Sequence, residues 1–117
     1  MKLTLQKSSV NSKSKIQITG SKSESNRLLL LQALYSDIKI KNLSNSDDSN
    51  VMQQALQTST NVIDVHHAGT AMRFLTAFFA TQNGREVTLT GSSRMKERPI
   101  QVLVEALNSL GSDITYL

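Results

Sequence analysis

Apolar and polar positions alternate with two different periods along this chain, and the changes of period mark out its elements. Residues 2–6 and 15–19 alternate with period two and predict strands, joined by a Ser/Asn/Lys-rich loop at 7–14. Residues 24–35, containing Leu28-Leu29-Leu30-Leu31, predict a buried helix, and 37–43 predicts a strand with one wet face. A helix is expected over 47–58, opened by Ser46 or Asp47, with Val51, Met52, Ala55 and Leu56 turned inward. A short strand over 61–65, a second buried helix over 70–81 and a strand over 86–90 follow. Pro99 to Leu110 is the clearest amphipathic segment: Ile100, Leu103, Leu107 and Leu110 share a face, Pro99 suits the first helical position, and Gly111 suits the stop. Residues 113–117 alternate again like a strand. Strands and helices in this order predict α/β (α+β) layers.

The chemistry sits where loops turn into helices. Gly20-Ser21-Lys22-Ser23-Glu24-Ser25-Asn26-Arg27 runs directly into the leucines. A helix start presents unpaired N–H groups and a partial positive charge, which suit an anion. Lys22 adds a mobile point charge there, and Arg27 a planar fork that can grip phosphate or carboxylate oxygens at two points. Ser23 and Arg27 are four apart and share a helix face. A second junction reads His66-His67-Ala68-Gly69-Thr70-Ala71-Met72-Arg73: Gly69 leaves the backbone bare, Thr70 can cap, and Arg73 lies one turn in. The third, Gly91 to Pro99, carries Arg94, Lys96 and Arg98. Six basic residues thus flank three helix starts.

Composition narrows the class further. Thirteen Lys and Arg against nine Asp and Glu give a net charge of +4. Only 4% of residues are aromatic and none is Trp, so stacking platforms for single-stranded nucleic acid are scarce, and cations beside glycines suit small anions better than a duplex. No nucleic acid and no membrane are expected as partners: no apolar run approaches the roughly 20 residues that span a bilayer, and residues 1–7 lack the apolar core of a signal peptide. A cytoplasmic setting is the default expectation. Without cysteine, disulfides, thiolate catalysis and cysteine-rich zinc sites are excluded. Asp47 and Asp48 are read as helix-capping charges rather than a metal pair, and the adjacent His66 and His67 as turn residues, so no metal is expected. Glu24 and Glu97 are read as neutralising nearby cations, and Phe74, Phe78 and Phe79 as core.

Three strings, GSKSESNR with its leucine run, AGTAMRFLTA, and LTGSSRMKERPI followed by LVEALNSLG, resemble in this order and spacing the 5-enolpyruvylshikimate-3-phosphate synthase family, also called 3-phosphoshikimate 1-carboxyvinyltransferases. The resemblance implies the enolpyruvyl transferase fold, built from repeated βαβαββ units in two domains that close over the substrates. The chain then looks like a partial N-terminal domain over 21–117. Residues 1–20 would be strands that belong to the other, missing domain. The activity implied is transfer of the enolpyruvyl group of phosphoenolpyruvate to the 5-hydroxyl of shikimate 3-phosphate, with release of phosphate and without a cofactor. Lys22 matches the catalytic lysine between the two substrates. Ser23 and Arg27 match the pair that holds shikimate 3-phosphate, and Gly69 and Arg98 match residues that face phosphoenolpyruvate. Arg73, Arg94 and Lys96 fall within matched strings as field and scaffold. The main proton-transfer carboxylates of the family lie in the C-terminal domain, so the fragment alone is expected to be inactive.

The sequence departs from that family's pattern in two places. His67 stands where asparagine is usual, and Phe74 where proline is usual, both at the helix that would face phosphoenolpyruvate. The stretch between Thr58 and His66 is shorter than in many members, implying a clipped hairpin. Two alternatives remain at this point: a relative of UDP-N-acetylglucosamine enolpyruvyl transferase, whose first string has asparagine where this chain has Ser23, and a non-catalytic anion-binding module.

Overall fold

The computed structural model describes residues 2–117. Ser21 opens its first helix, α1 (Lys22–Leu34), its hydroxyl accepting from Glu24 N at 3.4 Å. Ser46 opens the second, α2 (Asp47–Gln57), with its hydroxyl accepting from Ser49 N at 3.3 Å. Asp47 and Asp48 occupy the first turn of α2, where the helix dipole favours carboxylates. After a tight connection at 58–61 come β1 (Val62–Asp64), α3 (Gly69–Ala80) and β2 (Thr88–Thr90). A single turn, α4 (Ser93–Lys96), and α5 (Gln101–Ser109) follow. β1 and β2 pair in parallel with Ile63 opposite Leu89, so α3 is the crossover of one β-α-β unit.

The core forms where α1, α2 and α3 meet the inner face of this small sheet. Leu29, Met52, Ala55, Ile63, Val65, Ala71, Leu75, Phe79 and Met95 are buried in one cluster. Burial at Met52 and Ala55, with Val51 and Leu56 half-buried beside them, gives α2 the inner face that its spacing predicts.

The α1–α2 contact is polar as well as apolar. Asn26 is wholly buried, and its Oδ1 accepts from Ser49 Oγ at 2.8 Å. Ser49 Oγ in turn accepts from the capping hydroxyl of Ser46 at 3.0 Å. Alongside, the buried Ser25 hydroxyl accepts from Ser44 N at 2.9 Å. The start of α1 is thereby tied to the turn that starts α2.

Several expected elements are absent, for one physical reason: a strand exists only through its ladder partner. Residues 2–6, 15–19 and 113–117 have none among the described residues, and their apolar positions face outward, Leu5 at 89% and Ile16 at 84% exposure. The extended leading segment raises the radius of gyration to 18.0 Å, against about 13 Å for a compact chain of this length. The segment 37–43 forms no strand either, though Ile40 and Leu43 do pack on the core. α1 is only partly buried: its four successive leucines encircle the helix, so Leu29 faces inward while Leu28, Leu31 and Leu34 are exposed. Pro99 precedes α5 rather than beginning it, with Ile100 at the cap. α5 rests on α3 through one stripe centred on buried Val104, flanked by half-buried Ile100, Leu103 and Leu107, and Leu110 is 84% exposed.

These positions separate in a stability measurement. Leu75→Ala should lower unfolding stability by about 2–5 kcal/mol, and Leu110→Ala by no more than about 0.5 kcal/mol. Urea denaturation reads both, and equal losses would return Leu110 to the core face that its spacing suggested.

Candidate functional site

At the start of α1, Lys22 and Ser23 are exposed in the first turn. Arg27 folds back along its own helix, its Nη1 donating to Ser23 O at 2.9 Å. The guanidinium carbon lies 5.5 Å from the centroid of the Phe74 ring on α3. That contact joins the first and second helix junctions.

The start of α3 is built around a bare backbone. Its cap position is Ala68, which offers no side-chain oxygen, so Thr70 does not cap as expected but sits at the second helical position. The first intrahelical bond runs from Met72 N to Ala68 O at 3.0 Å. Gly69 is buried, and a Cβ there would collide with the Arg98 guanidinium and lie 3.7 Å from Arg73 Nη1. Arg73 donates from Nη1 to Gly69 O at 3.1 Å and from Nη2 to Pro99 O at 2.9 Å. One side chain thus clamps the segment after Arg98 to the first turn of α3. Arg98 is held over that turn in consequence.

Another fastening lies at the end of β1. His66 takes a left-handed backbone, φ 54°, with its N–H donating to Asp64 Oδ1 at 2.7 Å. Its carbonyl accepts from Ser92 N at 2.9 Å, which fixes the third junction beside the second. Gly91 is required there, because a Cβ would lie 2.7 Å from His66 O and from Met95 Cγ. His67 is exposed and approaches Asp47 Oδ2 at 3.8 Å, bordering a shallow cavity of about 250 Å³ between the start of α2 and the turn at 65–68.

Of the expected residues, the structure brings Arg98, Arg73 and Gly69 together, and sets Arg27 beside Ser23 and against α3. Lys22, Arg94 and Lys96 stand exposed, the latter two on α4. Among the described residues none of the six cations has a carboxylate within 4.0 Å, and Glu24 and Glu97 neutralise none of them. Cations beside open helix starts attract anions. No group of three or more His, Asp or Glu that could hold a metal occurs among the described residues. Nor is any helix long and apolar enough to cross a membrane.

Sequence reasoning missed the Asn26–Ser49 link and the role of Phe74. Polar residues inside a helix signal nothing about their partners, although Ser25 and Asn26 before a leucine run are unusual enough to mark an inward polar face. Phe74 passed as core, yet it is half-buried and its ring meets a cation.

Together these features define a small helix-and-strand unit with unpaired cations at its helix starts. The family model for EPSP synthase (3-phosphoshikimate 1-carboxyvinyltransferase) matches residues 53–117, and the chain belongs to that family. A 3-phosphoshikimate 1-carboxyvinyltransferase of Bacteroides fragilis (strain YCH46) is 50% identical over 106 residues, covering 90% of this chain and 26% of its own length. The Pentafunctional AROM polypeptide 2 of Lodderomyces elongisporus is 42% identical, covering 84% of this chain and 8% of itself. A 3-phosphoshikimate 1-carboxyvinyltransferase of Cellvibrio japonicus is 40% identical over 134 aligned positions, covering 93% of this chain and 31% of its own. That alignment is longer than the chain, so the Cellvibrio relative carries residues that this chain lacks. The chain spans about a quarter of the Bacteroides relative's length.

The two close-packed glycines should respond differently to substitution. Gly69→Ala meets the movable end of Arg98, so the side chain swings away and the melting temperature changes little, while phosphate binding at α3 weakens. Gly91→Ala meets fixed backbone and should lose about 1–3 kcal/mol. Thermal melts with and without phosphate give the comparison, and a larger loss at Gly69 than at Gly91 would contradict it.

Proposed function

We infer that this chain is the part of a 3-phosphoshikimate 1-carboxyvinyltransferase that grips both substrates. The observation that carries the reading is the convergence of Arg98 and Arg73 on the bare, uncapped start of α3. Phosphoenolpyruvate brings a phosphate and a carboxylate, and this junction offers two guanidinium groups with open N–H donors. In the reading, Gly69 and Arg98 face phosphoenolpyruvate, Ser23 and Arg27 hold shikimate 3-phosphate, and Lys22 lies between the two as the catalytic cation. Arg73, Arg94 and Lys96 shape the field, and His67 and Thr70 border the phosphoenolpyruvate turn.

The chemistry asks for this arrangement. Protonation of the methylene carbon of phosphoenolpyruvate makes the neighbouring carbon electrophilic. The 5-hydroxyl of shikimate 3-phosphate attacks it, and phosphate leaves the tetrahedral intermediate. Two anions must be held side by side, which fixed cations in a water-poor cleft accomplish. That none of the six cations has a carboxylate within 4.0 Å among the described residues supports that use. Ser23, in place of asparagine, and the names of the relatives support the shikimate substrate over the UDP-N-acetylglucosamine alternative. The carboxylates for proton transfer belong, in this reading, to a further domain of repeated βαβαββ units. Residues 2–19, exposed and without a ladder partner among the described residues, suit strands completed by that domain; Met1 lies outside the described residues.

Shikimate 3-phosphate added to the 117-residue chain should shift the amide resonances of residues 21–27 and raise the melting temperature by mass action. Shifts confined to other regions would refute the assignment of α1. In the full-length enzyme, Lys22→Ala or Arg98→Ala should reduce turnover by the equivalent of about 3 kcal/mol, as for loss of one preorganised donor. Steady-state rates unchanged in both variants would remove them from the site.

A further inference from the structure

Arg27 lies back along its own helix, the direction in which helical side chains lean. Its guanidinium turns toward the start of α1, where the helix dipole and the exposed Lys22 already place positive charge. A long exposed side chain there also has rotamers that extend into water, and ordering it has an entropic cost. Two contacts hold it back: the carbonyl of Ser23 at 2.9 Å, and the face of the Phe74 ring at 5.5 Å. The carbonyl belongs to α1 itself and would accompany the arginine in any helix of this sequence. The ring comes from α3, and it presents the negative face of its quadrupole to the cation. No carboxylate lies within 4.0 Å of Arg27 among the described residues, so the Ser23 carbonyl and this ring face are the groups of favourable sign that the guanidinium meets.

We propose that Phe74 is a positioning residue for Arg27, holding its guanidinium at the start of α1 in the orientation that takes anionic oxygens of a phosphorylated substrate. The inference rests on the reading of α1 as the subsite for such a substrate. A ring approached by the guanidinium carbon takes no N–H donor, so the edges other than the one given to Ser23 O stay open to the oxygens of an anion. The ring therefore removes rotational freedom from Arg27 without competing for its donors. Because Phe74 rides on α3, it also makes the geometry of the α1 subsite depend on the helix whose first turn carries Gly69. Any shift of α3 that moved the ring would release the arginine.

The test uses the isotopically labelled 117-residue chain and its Phe74→Leu, Phe74→Met and Phe74→Tyr variants, with melting curves to confirm folding. In the unsubstituted chain the Arg27 side-chain Nε–Hε proton should carry an upfield ring-current shift. Leu and Met fill the space without a ring face, so both should abolish that shift. Both should also weaken inorganic phosphate and shikimate 3-phosphate binding at residues 22–27 by about two- to five-fold. Tyr retains the ring and should restore both readouts. Wild-type affinity in Phe74→Leu or Phe74→Met, or an equal loss in Phe74→Tyr, overturns the proposal. If the unsubstituted chain binds inorganic phosphate at 22–27 but not shikimate 3-phosphate, the substrate reading of α1 fails while the phosphate series still decides the role of Phe74. Binding of neither overturns both.

Discussion

A buried hydrogen bond between Asn26 and Ser49 sets the frame on which the rest depends. Leucines can slide along a neighbouring helix with little penalty, because apolar attraction has no direction. The Asn26–Ser49 bond has a direction, and breaking it would leave polar atoms unsatisfied at about 1–3 kcal/mol. Ser49 stands one turn into α2 and its hydroxyl is tied to Ser46, the residue that caps that helix. A single polar chain therefore fixes the rotation of α1, the start of α2 and, through Ser44 and Ser25, the loop between them. The amide nitrogen of Asn26 has no partner, so this fixity is kept at some expense in stability. Rotation of α1 decides where Lys22, Ser23 and Arg27 point.

From that frame the cationic junctions follow by close approach. Backbone meets guanidinium at Gly69, and backbone meets backbone at Gly91, so two turns that look alike in sequence serve different ends. The first leaves room for a mobile charge, while the second locks α4 and the residues after it to the end of β1. Arg73 then joins the two regions with bonds to Gly69 and Pro99. Gly69, Arg73 and Pro99 thus bring Arg98 to α3, and among the described residues no carboxylate lies within 4.0 Å of its charge.

How much of this was legible in the sequence follows from how local each determinant is. Ser46, Gly69 and the apolar spacing of α2 act within a few residues, and α2, β1, α3 and β2 fall within a residue or two of their expected bounds. The segments 2–6, 15–19 and 37–43 carry strand-like alternation, but a strand also needs a neighbour, and alternation says nothing of whether one is present. Thr70 seemed a cap because its residue type is right, yet the turn at His66 and His67 advances the helix start so that Ala68 takes that place. The approach of Arg98 to Gly69 joins residues 29 positions apart and has no periodicity to betray it. The same holds for Asn26 with Ser49 and for Arg27 with Phe74, each a contact between helices whose sequences look self-sufficient.

The empty cap of α3 sets the helix's durability against its use. A serine or aspartate at position 68 would, on an ordinary helix, contribute about 1 kcal/mol by accepting from the first N–H groups. Here it would engage the N–H of Thr70 or Ala71, donors that the proposed anion would use. Alanine at that position keeps those donors vacant, so in the proposed reading the helix forgoes a stabilising contact where the ligand would sit. Variants selected for heat resistance alone would therefore be drawn toward substitutions that close the proposed site.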